Sequence, residues 1–442
     1  MSADAEPIGS GEFDALMALN GPFEHTPDIA IACSGGPDSM ALALLANDWV
    51  RRLGGRAVAL IVDHGLRLDS ASEAELVKQR LRDRNIEVEV LTRRGEKLTG
   101  DIQAQARDAR YGLLTQWCAQ RGFLHILFAH HREDQAETLM IRLERGSGVA
   151  GLSGMARIRE AGPVRFVRPF LHCSRLRLRA TIGAANVKFV EDPSNRDPKF
   201  VRVRIRQNFN REGGALSMLR LSETASQIGA ARNVIEDAVG AALAQTCRIF
   251  PEGYCLLDWA ALSGALPDIR KGALANIVTC IGGRSYTPRY KKICNLDVAL
   301  IEGRLGGGRT LSGCRIVKRR DDILICREPS AVTDELRVAD APVGGALYWD
   351  RRYSIEVRNA PAGAYIGKLG DFRIASIGVD KKNALSPAAI RQSTPTLWRK
   401  DKILAAPHLD YIDAEFEKAG GKVVKIAFSP QNPLTRGRFA FA

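Results

Sequence analysis

Residues 34–39 read SGGPDS, set between an apolar run, Ile29 to Cys33, and the alanine-leucine run MALALLAN. The apolar run is short and ends in glycines, as a buried strand does. The run that follows has strong helix formers behind an Asp-Ser start. A strand, a glycine turn and a helix N-terminus make an anion site, because free N–H groups and the positive end of the helix dipole face the ligand. The loop lacks the lysine of a Walker A motif. It carries Asp38 instead, and a carboxylate beside phosphates is suited to holding a magnesium ion against their oxygens.

A second set of chemistry-bearing residues lies in AHHREDQAET, residues 129–138. Asp134 and Glu137 are three apart, so on a helix both carboxylates face one way and suit a cation. The plainer reading is an acidic helix start favoured by the dipole. His130 and His131 are adjacent, which on an extended strand sends them to opposite faces. No helical H-x-x-x-H or cysteine partner accompanies them, so zinc is not expected.

The elements that must position these groups alternate. AVALIV is a continuous apolar run, as in a central parallel strand. SASEAELVKQRLRDRN reads as an amphipathic helix that Ser70 or Ser72 can cap. IEVEVLT reads as a strand, DIQAQARDARYGLLTQWCAQRG as a long helix, HILFAHH as a buried strand and EDQAETLMIRLERG as a helix. This order predicts an α/β fold with an open, mostly parallel sheet and flanking helices. In such sheets ligands bind at the carboxyl ends of the strands. Residues 34–39, Asp63 with His64, and His130 with His131 all fall at such ends.

The remaining sequence is strongly basic from Arg157 to Arg211. A long helix is expected over 216–245 and a hairpin in TLSGCRIVKRRDDILICRE. PSAVTDELRVADAPVGG reads as a linker. Three domains follow: 1–215 catalytic, 216–330 mainly helical, and 331–442 a small α+β domain. The formal net charge of +14 favours a polyanionic partner, and the basic stretch reads as a track for a phosphate backbone. The acidic N-terminus is not a secretory signal, and no stretch is apolar enough to span a bilayer, so a cytoplasmic protein is expected. The nine cysteines are scattered without a C-x-x-C, which argues against a zinc ribbon, an iron–sulfur site or disulfides.

Two glycine-rich segments are decoys. GSGVAG, residues 146–151, satisfies G-x-G-x-x-G but follows a helix, so the dinucleotide reading fails and a lid or substrate loop is the better expectation. GRLGGGRT, residues 303–310, has Arg309 where a Walker A has lysine and precedes a strand-like run, so it reads as a turn.

SGGPDS resembles the pyrophosphatase loop of the N-type ATP pyrophosphatases, the PP-loop superfamily, with its adenine nucleotide alpha hydrolase-like fold. With VDHGLR, ARDARY, AHHREDQAET, RGSGVAGLSGM and EDPSNRDPKFVRVRIR, the chain is similar to the tRNA(Ile)-lysidine synthetase family. The likeness is dense over 29–210 and looser through TLSGC and STPTLW. It implies that ATP adenylates O2 of the wobble cytidine in the CAU-anticodon isoleucine tRNA with release of pyrophosphate. The amine of free lysine then attacks C2 and expels AMP, leaving lysidine.

The resemblance implies that Ser34, Gly35, Gly36, Pro37, Asp38, Ser39, Asp63 and His64 bind ATP, with Asp38 on magnesium. It gives Arg107 and Arg110 places near the reacting centre, Asp134 and Glu137 the lysine ammonium, and Arg202, Arg204 and Arg206 the RNA. The last 112 residues are expected to touch the tRNA. Two positions depart from the pattern: Glu133 stands where the family commonly has Asp, and Val203 where it commonly has Asn. A cytidine thiolase of the same superfamily is the alternative. The base for the lysine amine and the oligomeric state, a homodimer included, are left open by the sequence.

Overall fold

The computed structural model describes residues 5–63, 70–93, 102–161, 164–190, 201–211, 214–341, 346–378 and 388–435. The chain divides into two compact units, residues 1–232 with 439–442, and residues 233–438.

The first unit begins with α1 (Ser10–Ala18), β1 (Asp28–Cys33), α2 (Pro37–Arg52), β2 (Arg56–Asp63), α3 (Ser70–Arg82), β3 (Glu87–Thr92), α4 (Ile102–Arg121) and β4 (His125–Leu127). It continues with α5 (Arg132–Glu144), α6 (Val149–Leu152), β5 (Ile158–Ala161), β6 (Val164–Val167), α7 (Arg175–Ala184), α8 (Val201–Arg211) and the start of α9 (Gly214–Thr246). Six strands form one sheet in the order β3-β2-β1-β4-β6-β5. All pairings are parallel except β5 with β6.

Alternation along the central strands divides the core between the two sheet faces. Ile29, Ile31 and Cys33 pack with Met40 and Val50 of α2, Val77 and Leu81 of α3, and Leu178 of α7. Ala30, Ala32, Val58 and Leu60 pack with Leu114, Trp117 and Cys118 of α4. With both faces covered, the strands must be apolar throughout, which is why they read as runs rather than alternations. The chain passes from β1 outward to β2 and β3, then returns to place β4 on the other side of β1. The carboxyl ends of β1 and β4 therefore flank the topological switch point, where open α/β sheets bind ligands.

One expectation changes here. HILFAHH is a strand only over His125–Leu127, so His130 and His131 lie beyond it and the strand argument for their opposite faces does not apply. GSGVAG is a turn followed by α6, and Arg142 of α5 fastens this segment through the Gly151 and Gly154 carbonyls (2.5 and 2.6 Å). GRLGGGRT is largely turn, as read.

The second unit holds the rest of α9, then β7 (Cys247–Phe250), β8 (Tyr254–Asp258), α10 (Trp259–Ser263), α11 (Pro267–Ile281), α12 (Tyr290–Ile301), β9 (Arg309–Leu311), β10 (Cys314–Arg319) and β11 (Asp322–Arg327). Helices dominate, and a five-stranded antiparallel sheet, β7-β8-β11-β10-β9, packs with them. The expected hairpin is β10 with β11, joined in register from Cys314↔Arg327 to Arg319↔Asp322.

After it come β12 (Leu336–Arg337), β13 (Leu347–Trp349), β14 (Tyr353–Arg358), β15 (Ala364–Lys368), α13 (Ala388–Gln392), β16 (Pro395–Arg399), β17 (Lys402–Ala406), β18 (Tyr411–Ile412), α14 (Ala414–Lys418) and β19 (Lys422–Phe428). They make a five-stranded sheet, β12-β15-β16-β17-β18, and a three-stranded one, β13-β14-β19. The stretch read as a linker is tied down where it is described. Val332 is buried, β12 pairs with β15, and Lys368 Nζ donates to the Pro329 and Val332 carbonyls, both at 2.9 Å. No described helix is long and apolar enough to cross a membrane.

Candidate active site

The loop between β1 and α2 needs glycine at residue 35 for two reasons. Its φ is +80°, and an added Cβ would lie 2.4 Å from Val77 Cγ2. Ser39 knits the turn, accepting from Ser34 N at 3.2 Å and donating to the Gly36 carbonyl at 3.0 Å. Ser34 Oγ and Ser39 Oγ are 3.3 Å apart. Gly36 is the N-cap of α2 and supplies no side-chain cap, while Pro37 sits in the first turn. The N–H groups of that first turn are thus available to an anion.

Asp38 stands in this first turn. Burial pushes its carboxyl up, against the pull of His131 and Arg175. Its Oδ1 is buried and has no hydrogen-bond partner among the described residues. Its Oδ2 lies 3.7 Å from His131 Nε2 and 4.0 Å from Arg175 Nε.

His131 comes from the other side of the switch point as the N-cap of α5. Asp134, at the third helical position, accepts its backbone N–H at 3.1 Å, which closes the helix start. The imidazole is held on both sides: Nδ1 lies 3.0 Å from Glu133 Oε2 and Nε2 3.6 Å from Asp134 Oδ2. Burial disfavours charge on His131, but Asp134, Glu133 and Asp38 outweigh it and push the imidazole up to about 9. It is therefore a cation at neutral pH. Burial likewise resists charge on Asp134, yet His131 and Arg202 hold it well below the usual carboxylate range. His130 differs from its neighbour. Burial, with Arg168 nearby, keeps it neutral, and it stacks on Phe128 with ring centroids 5.8 Å apart.

Glu137, one turn further along α5, is fully buried. Arg206 of α8 clasps both its oxygens, through Nε to Oε1 and through NH2 to Oε2 at 3.2 Å. Arg206 NH2 and Arg202 NH1 also lie 3.6 and 3.7 Å from Asp134 Oδ1. The spacing of α8 explains this: Arg202 and Arg206 are four apart and share a face. Val203 and Ile205 point into the core, and Arg204 is exposed. The departure at Val203 is thus a packing position.

Residues 12–212 match the PP-loop domain family. Three curated relatives align over nearly the whole chain. The tRNA(Ile)-lysidine synthase of Ruegeria pomeroyi is 34% identical, over 90% of this chain and 93% of that one. That of the Wolbachia of Brugia malayi is 31% identical, over 89% and 91%. That of Orientia tsutsugamushi is 28% identical, over 93% and 95%. The chain belongs to the tRNA(Ile)-lysidine synthase family.

Against that family assignment, the structure gathers Ser34, Gly35, Gly36, Pro37, Asp38, Ser39, Asp134, Glu137, Arg202 and Arg206 around the switch point. Asp63 ends β2 on the same edge of the sheet. His64 lies outside the described residues. Arg107 and Arg110 are on α4. Arg107 donates to Tyr111 Oη at 3.0 Å with its guanidinium carbon 4.9 Å from that ring's centroid. Burial lowers the Arg110 guanidinium from its ordinary range. In this lysidine synthase relative, His131, Glu133 and Arg175 join the site; the sequence reading placed His131 at a ligand-binding strand end but gave none of the three a role. The histidine pair was visible as a polar cluster at a strand end and as a failed metal motif, not as an ion-pair partner of Asp38. Arg175 came from a run read as an RNA track, and its approach to Asp38 spans 137 positions.

Proposed function

We propose that the chain makes lysidine at the wobble cytidine of the CAU-anticodon isoleucine tRNA, using ATP. The observation that carries the reading is the meeting of the SGGPDS loop with the acidic start of α5 at one switch point, in a chain of this family. The loop suits the β- and γ-phosphates that leave as pyrophosphate. Fixed donors aimed at developing charge are the main electrostatic contribution in such a step. We assign Ser34, Gly35, Gly36, Pro37 and Ser39 to that cradle, Asp63 and, from the family resemblance alone, His64 to the nucleotide, and Arg107 and Arg110 to the reacting phosphate.

A magnesium ion fits Asp38, whose buried Oδ1 accepts nothing from the described residues and whose donor type, beside phosphate oxygens, is the one magnesium takes. Asp38 would hold the ion, which supplies charge to offset that of the pyrophosphate.

Free lysine is the second substrate. Asp134 and Glu137 are the pair we assign to its ammonium, which would share these buried carboxylates with Arg202 and Arg206, the cations that face them here. His131 keeps Asp38 and Asp134 near one another by placing a positive charge between them. Arg202, Arg204 and Arg206 lie on the segment we assign to the RNA, with residues 1–215 as catalytic domain, 216–330 as middle domain and 331–442 as a tRNA-contacting domain. The test is nucleoside analysis of a CAU-anticodon isoleucine tRNA after incubation with protein, ATP and lysine. Lysidine is expected, and pyrophosphate and AMP should appear in equal amounts. Release of both without lysidine would overturn the reading.

A further inference from the structure

A surface of the second unit has a composition unlike its surroundings. Residues 284–292, RSYTPRYKK, hold four cations and no acid. Arg284, Tyr286, Arg289, Tyr290, Lys291 and Lys292 are all exposed. Both tyrosines are exposed, Tyr286 at 62% and Tyr290 at 46%. Arg351 extends the positive charge, since its NH1 donates to Ser285 Oγ at 3.1 Å.

The Tyr290 ring is held in position. Lys271 Nζ donates to Tyr290 Oη at 2.6 Å and lies 5.1 Å from the ring centroid. Asp268 fixes that lysine at 2.8 Å. The backbone before Tyr286 is pinned by Asn432, which donates to the Arg284 carbonyl at 2.6 Å. The helix start is unusual as well. Tyr290, Lys291 and Lys292 form the first turn of α12, with no acidic residue there and no side-chain cap. Cations at a helix N-terminus oppose the dipole, and an anion laid over them removes the conflict.

We propose that Arg284, Tyr286, Arg289, Tyr290, Lys291 and Lys292 form a docking surface for an unpaired stretch of the tRNA substrate, its bases stacking on the two tyrosines and its phosphates meeting the cations. Interleaved aromatic and basic side chains are the pattern that binds single-stranded nucleic acid, because every base has a face to stack and every linkage a charge. The formal net charge of +14 and the membership in a tRNA-modifying family favour a nucleic acid over a protein partner of acidic surface. The proposal rests on the reading of tRNA as substrate.

The test uses the full chain and an unmodified CAU-anticodon isoleucine tRNA, with dissociation constants measured across a salt series. Tyr286→Ala with Tyr290→Ala should weaken binding roughly ten-fold or more, as lost base stacking does. The Phe pair at the same positions should restore it. Arg289→Gln with Lys292→Gln should lower the slope of log affinity against log salt by about 1.4, roughly 0.7 per lost phosphate contact on an unpaired strand. Folded variants with wild-type affinity and slope, beside a wild type that forms lysidine, would overturn the surface alone. A wild type that forms no lysidine would instead overturn the functional reading. Equal dependence on the tyrosines for a blunt RNA duplex would refute the stacking.

Discussion

His131 Nε2 lies 3.7 Å from Asp38 Oδ2, across the gap between the ends of β1 and β4. Two segments 93 positions apart are thereby joined by one imidazole cation at the switch point of the sheet. Asp38 has a second oxygen, Oδ1, buried without a partner among the described residues. Asp38→Ala should therefore cut pyrophosphate release in the presence of tRNA and ATP by about 100-fold or more, the usual cost of losing a preorganised electrostatic group. Circular dichroism should remain that of the native chain. Pyrophosphate release at the wild-type rate would remove Asp38 from the mechanism.

Gly35→Ala should weaken ATP binding through two separable effects. Its φ of +80° is a left-handed conformation that costs a residue with a Cβ about 1–2 kcal/mol. The new methyl would also meet Val77 Cγ2 at 2.4 Å. Adding Val77→Ala removes the collision and leaves the backbone cost. The double variant should recover part, not all, of the lost ATP affinity in a titration. Full recovery would show that the positive φ is not required for binding.

The parallel sheet was legible because a strand covered on both faces must be apolar along its whole length, as Ile29 to Cys33 is. The glycine loop was legible because its geometry restricts residue type. Failures came where a residue's role depends on distant sequence. His131 caps α5 and meets Asp38, and nothing local to AHH foretells that. Residues 329–341 looked like a linker because a two-residue strand such as Leu336–Arg337 has no periodicity to detect. The acid pair on α5 was visible from its spacing. Its partner Arg206 was not, since the clasp joins residues 69 positions apart.

Stability of the second unit depends on one buried carboxylate. Asp350 accepts from Arg327 at 2.7 and 3.0 Å and from Arg352 at 2.6 Å, and all three are buried. Asp350 also occupies a turn at φ 48°. Asparagine tolerates that conformation, so Asp350→Asn removes the charge and spares the turn. Two guanidinium groups then lie uncompensated in the interior, at a cost of about 3–5 kcal/mol. The full chain's urea midpoint for the second unit should fall accordingly, while ATP binding in the first unit persists. A midpoint within error of the wild type would mean that the arginines are neutralised by their carbonyl partners alone.

Glu137→Gln tests the amine site, and Arg206 makes the test discriminating. Glu137 is buried and Arg206 clasps both its oxygens. Removing the charge has two consequences: a lysine ammonium loses an acceptor, and α8 loses an anchor on α5. A desolvated ion pair that loses one partner costs roughly 2–5 kcal/mol, so the lysine half-saturation should rise by tens-fold or more while adenylation of the tRNA continues. Arg206→Gln removes the same anchor but keeps the carboxylate. If Glu137 binds lysine, the two variants must differ, with Arg206→Gln affecting tRNA affinity and leaving the lysine requirement nearer that of the wild type. The measurement is a lysine titration at saturating ATP and tRNA, with lysidine and pyrophosphate followed separately. Identical profiles for the two variants would mean that Glu137 acts only by docking α8. Loss of pyrophosphate release at an unchanged lysine half-saturation would place Glu137 in the ATP step.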